Sequence, residues 1–235
     1  MTRKSGSGKL PVMMIFGSTA FALRKLLYAG GVDARGLLLR NSPLGIALTV
    51  LTALALVFVV LTARKQETGD ASVDFPAAIG NAAAGGGILV TVLTAAPMMG
   101  GYLENAWRIL GFAAPVCLLL AGISRAFGKK PFFLLHVIAC LFFLVHIVTR
   151  YQLWSSNPQL QDYVFALLGA AALMFFCFYT AAQEADCGNG RMKLGMGLAA
   201  VYLCLAELAR SSCPALYLGG LVWVFTELTG KERKN

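Results

Sequence analysis

Uncharged apolar runs alternate with short basic gaps along most of the chain. The first run, 10–23, is 14 residues long before Arg24 and Lys25, and it resumes through Ala29. The run 43–63 holds 21 uncharged residues rich in Leu, Val and Ala, and 76–101 is uncharged and heavy in Gly and Ala. Further runs occupy 109–124, 131–149, 163–183, 194–209 and 211–226. A helix rises ~1.5 Å per residue, so about 20 apolar residues cross the ~30 Å of bilayer hydrocarbon. The pattern therefore predicts an all-α, polytopic transmembrane helical bundle of about eight spans, with six or seven if the short runs do not cross. It forms a single transmembrane domain over 10–229, flanked by basic tails at 1–9 and 230–235.

Two regions leave the count open. The basic start, short apolar stretch and Ala20-Phe21-Ala22 also fit a secretory signal, and the same segment could lie in the interface with Arg24 and Lys25 among the headgroups. A span is the preferred reading, because both cations can snorkel from near the helix end. The last two runs are each about a turn short, and Cys213-Pro214 divides them. They make either two short helices or a re-entrant hairpin.

Composition agrees with the pattern. The chain of 235 residues is 58% hydrophobic and only 13% charged, about half the charge of a soluble domain. Its net charge of +9 is spread through the gaps rather than gathered on one surface, which excludes nucleic acid as a partner and reads as a positive-inside bias. Eight spans with both termini inside put 13 Lys and Arg inside and 7 outside. Laying the first run flat gives 10 and 10. The arrangement with cytoplasmic N- and C-termini is thus preferred, although Arg35 and Arg40 fall on its outer side. No repeat relates the first four runs to the last four, so an inverted-repeat transporter is not supported. The six cysteines form no CxxC, and neither a disulfide framework nor a metal site is signalled.

Ionisable groups inside a span are the default functional candidates. On the run 131–149, at ~100° per residue, His136, Cys140, His146 and Arg150 fall within roughly 120° of one helix face. They read either as a proton or ligand path or as interhelical hydrogen bonding with Arg150 at the membrane edge. Both histidines sit on one helix, which argues against haem, and no cofactor is expected. Glu207 and Arg210, three apart, form a candidate pair beside the Cys213-Pro214 break. Glu227 reads as interfacial. In 80–87, Gly80 and Ala84 have small-xxx-small spacing for close helix packing. Asn81 in that stretch could instead belong to a locally unwound binding segment.

Phe132-x-x-x-His136 resembles one motif of the CAAX-type prenyl endopeptidases. The paired glutamates and downstream arginine of that family are missing, and no Gly-x-Ser-x-Gly occurs, so no catalytic residue is assigned. The stretch 23–33 with Gly36-Leu37-Leu38, and the region from Tyr163 through Glu207, resemble uncharacterised multi-pass membrane proteins of clostridial-type bacteria. That resemblance implies a bacterial plasma membrane. The first reading of function is transport of a small solute or proton, alone or as the membrane subunit of a transporter such as an ATPase-driven vitamin importer. The alternative is a non-transporting sensor or assembly partner, in contact with a membrane protein or a second copy. An intramembrane enzyme comes last. A reporter active only in the cytoplasm, fused after Asn235, is expected to be active; an inactive fusion overturns the topology.

Overall fold

A segment surrounded by lipid must satisfy its own backbone hydrogen bonds, and the apolar runs do so as helices. The computed structural model describes residues 9–30, 42–64, 75–95, 101–155 and 163–230. Its helices, in order, are α1 (Leu10–Gly30), α2 (Pro43–Arg64), α3 (Phe75–Thr94), α4 (Tyr102–Ala126), α5 (Leu134–Trp154), α6 (Val164–Glu184), α7 (Gly190–Leu208) and α8 (Pro214–Thr229). The first six are long and apolar enough to cross a bilayer. Both basic tails, apart from Lys9 and Gly230, lie outside the described residues, as do Asp33, Arg35 and Arg40.

The boundaries move where the apolar count and the backbone differ. The run 76–101 is helical only to Thr94; Pro97 follows, and a proline ends a helix by removing a donor and crowding the preceding turn. α4 begins seven residues before its apolar run, at Tyr102, with Glu104 accepting from Arg108 one turn on at 2.8 Å. α5 continues past Thr149 through Arg150 to Trp154. α3 is one continuous helix through Asn81 and the glycines, so the unwound segment expected as an alternative there is not formed.

α7 and α8 answer the question of the last two runs. α7 packs against α1, α2, α6 and α8, and 13 of its 19 residues are buried. It is shielded from lipid by its neighbours, so it can carry Lys193 and Glu207 at its two ends. α2 is the opposite case, with only four buried residues in 22; Ile46, Val50, Leu54, Val57 and Leu61 are each more than half exposed. In a bilayer that surface is covered by lipid.

The two ends of the bundle can be distinguished by contacts. Lys9, at the start of α1, donates to the Thr62 carbonyl at the end of α2. Gly195, at the start of α7, lies against Ala63, and Lys193 joins Glu227 at the end of α8. The start of α1 and the end of α8 therefore share one face, called here the terminal face. α7 runs from that face to the far face and α8 runs back, and at the far face Glu207 and Cys213 meet Arg24 of α1 and Arg150 of α5. The two are antiparallel helices that meet at the far face, each reaching from one polar layer to the other.

α3 and α8 make the closest helix pair. A Cβ on Gly87 would stand 2.4 Å from the Ala215 carbonyl, and one on Gly219 2.5 Å from that of Ala83. The two backbones touch, as small residues permit, and Gly80 likewise faces α8 at Trp223 and Thr226. The small-residue reading of this stretch is thus the one realised. Gly87→Ala is expected to destabilise the detergent-solubilised protein by about 1–3 kcal/mol, the usual cost of overpacking. Gly86→Ala, which meets no atom within 4 Å, should be neutral or stabilising by up to about 1 kcal/mol through helix propensity. Equal thermal shifts in the two variants would contradict this contact.

Candidate functional site

Six helices contribute to a buried polar layer near the terminal face. Arg125, one residue from the end of α4, is the centre. Its Nη2 donates to Glu184 Oε1 of α6 at 2.8 Å, and its Nη1 donates to Glu227 Oε2 of α8. Lys193 of α7 donates to the other oxygen of Glu227 at 2.6 Å. The second oxygen of Glu184 is 2.8 Å from Nδ1 of His136 on α5, whose Nε2 is 3.1 Å from Asn81 Oδ1 on α3. Arg125, His136, Glu184 and Glu227 have side chains with no exposed surface, and Lys193 shows 7%. Each carboxylate bridges two bases. Two full positive charges and two full negative ones alternate along the chain of contacts, so the ions compensate one another in a medium that cannot.

The hydrogen bonds fix the protons at His136. Asn81 spends its amide N–H on the Ala77 carbonyl at 2.9 Å, so the oxygen faces His136 and Nε2 must be the donor. Nδ1 faces a carboxylate oxygen. A hydrogen bond across this contact therefore requires a proton on Nδ1 or on the facing oxygen. The ring is stacked on Trp223 at 5.8 Å and 16°, and its backbone carbonyl accepts from the Cys177 thiol. Among the described residues, Arg125 Nε and Trp223 Nε1 are buried donors without an acceptor.

The far face carries a second layer with different connections. Arg24 of α1, only 2% exposed, donates to Glu207 Oε2 and to the Ala206 carbonyl. Its guanidinium also lies 4.9 Å from the Phe165 ring. Arg24, expected to snorkel, is instead turned into the bundle. Glu207 is thus bonded to Arg24, while Arg210, three residues on, lies over Tyr28 at 4.2 Å. His146 accepts at Nδ1 from Trp107 Nε1 at 3.1 Å, which makes it a neutral ring with its proton on Nε2. Arg150 donates to Cys213 Sγ at 2.8 Å.

The stripe on α5 is therefore one face but two sites. His136 belongs to the terminal-face layer, and His146 and Arg150 to the far one. Cys140, between them and half-buried, has Sγ 3.7 Å from the Met174 carbonyl. Glu227, read from sequence as interfacial, is fully buried in the terminal-face layer. Arg125, Glu184 and Lys193 were not singled out, because each sits at the edge of its apolar run and reads as a flank. Their shared side of the membrane under the eight-span topology was the usable signal. Among the described residues no three His, Cys, Asp or Glu side chains group to hold a metal ion. A shallow groove of about 230 Å³ between α3 and α4 is lined by Ala78, Ala82, Gly122, Ala126 and other apolar residues.

No protein-family model, curated protein or solved structure matches the chain.

Arg125→Met is expected to cost about 3–5 kcal/mol, because it leaves two buried carboxylates without their shared donor. Combining it with Glu184→Gln should cost less than the sum of the single changes, with a coupling of about 0.5–3 kcal/mol. Strict additivity in the unfolding midpoints would mean that the two side chains do not interact.

Proposed function

We propose that the protein is a membrane sensor of a bacterial plasma membrane, with its terminal face in the cytoplasm and the His136–Glu184 pair as its proton-responsive element. One observation carries this reading: His136 Nδ1 lies 2.8 Å from Glu184 Oε2 inside an otherwise charge-compensated layer that ties six helices together. The groups around the ring are Glu184 and Cys177 on α6, Asn81 on α3, Trp223 and Glu227 on α8, and Arg125 on α4. Arg125 and Lys193 keep the two carboxylates compensated, so loss of the shared proton removes one link, that between α5 and α6. A shared proton closes this contact; without it two acceptors face each other. The altered packing would pass to a membrane partner or a second copy along an apolar flank such as that of α2.

Transport of a solute or proton, the first reading of the sequence, draws less support. It needs a polar route to His136 or Glu207, and both are engaged by neighbouring helices. A variant with Trp107→Phe and Trp154→Phe leaves Trp223 as the fluorescent reporter stacked on His136. Reconstituted in liposomes and stepped from pH 5 to 9, it should change emission, and His136→Gln should abolish the change because its amide donates at every pH. The enclosed pH should stay constant. No emission change overturns the sensor, and His136-dependent pH equilibration across the liposome establishes transport instead.

A further inference from the structure

We propose that Arg150 and the N-terminus of α8 form a phosphate-binding site at the far face. A guanidinium keeps its charge, and a buried one requires an anion or strong acceptors. Arg150 is 8% exposed, and among the described residues its Nε is buried without a hydrogen-bond partner and its one acceptor is the sulfur of Cys213. The neighbouring groups that could compensate it are engaged elsewhere. Glu207 is bonded to Arg24, His146 accepts from Trp107, and the Tyr217 hydroxyl donates to the Ala166 carbonyl.

Cys213 is the N-cap of α8, and its side chain makes no capping hydrogen bond. Arg150 thus points at the positive end of a 16-residue helix, where cation and helix dipole repel unless an anion joins them. Ser211 and Ser212 add hydroxyls at the same turn, and Ser212 is exposed, which opens the site to the surface. Depth favours phosphate over other anions. Trp154, 5.7 Å from the Arg150 guanidinium, stacks on Tyr163 at 4.2 Å, and Tyr151 is half exposed beside them. Aromatic pairs of this kind lie at the headgroup level, where phosphodiesters are the abundant anion. The ligand chemistry is a phosphate oxyanion, from a phospholipid headgroup or free in solution, held by the arginine fork and the helix end.

The test uses delipidated full-length protein and native mass spectrometry, with phosphatidylglycerol, phosphatidylcholine and inorganic phosphate as probes. One retained phosphatidylglycerol that free phosphate does not displace assigns the lipid source. Saturable binding of inorganic phosphate, with displacement of the lipid, assigns the free ion. In either case Arg150→Gln should weaken retention about tenfold, the scale of one charge-assisted contact, whereas Cys213→Ser should retain it. Retention unchanged in Arg150→Gln overturns the proposal. So does a wild-type protein that retains neither phosphate nor phospholipid above its non-specific level, a result that stands even if the arginine variant does not fold.

Discussion

Arginine holds its proton at any pH a cell meets, so a membrane helix that carries one in its interior must be met by acceptors from other helices. Arg125 imposes that condition on the whole terminal half of the bundle. Its two terminal nitrogens reach carboxylates on α6 and α8. Those carboxylates keep one oxygen each for a further base, His136 on α5 and Lys193 on α7. Asn81 extends the contacts to α3. The register of five neighbouring helices against α4 follows from satisfying one guanidinium. Replacing such ions by apolar groups often leaves stability unchanged, so their value here lies in fixing which helices meet and at what depth.

Close packing supplies what the ions cannot. Gly87 and Gly219 bring the α3 and α8 backbones together, and that proximity places Asn81 and Trp223 on either side of the His136 ring. A bulkier residue at either glycine would separate the helices and draw these two side chains away from the imidazole. The polar layer and the small-residue seam are therefore one construction. The seam sets the spacing that the hydrogen bonds require.

Much of the fold was legible from the run lengths, since lipid enforces helices of a set length and the chain has few charges to place. The eight helices and the small-residue packing at Gly80 follow from local pattern. The pairing of charges did not. Glu207 and Arg210 interact electrostatically, as their spacing of three suggests, yet Arg24, on another helix, donates a hydrogen bond to the carboxylate. Arg125, Glu184 and Lys193 looked like flanks because apolar counting stops at the first charge, whereas a helix continues through it when another helix supplies the counterion. His136 and His146 share a face of α5 about 15 Å apart along its axis, but helix geometry alone cannot tell which partners each one meets. Contacts between distant segments are what a single run cannot encode.

The position of α7 bears on how the chain is built. It is wrapped by α1, α2, α6 and α8, has a charged residue near each end, and falls short of the apolar length that marks the first six helices. Emerging alone from the insertion machinery, it would face hydrocarbon with Lys193 and Glu207 unmatched. Arg24 already waits on α1, but Glu227 arrives only with the end of α8, which is made after α7. Synthesis order thus leaves α7 dependent on a late partner. α7 therefore reaches its packing described above only once α8 has followed it into the bundle.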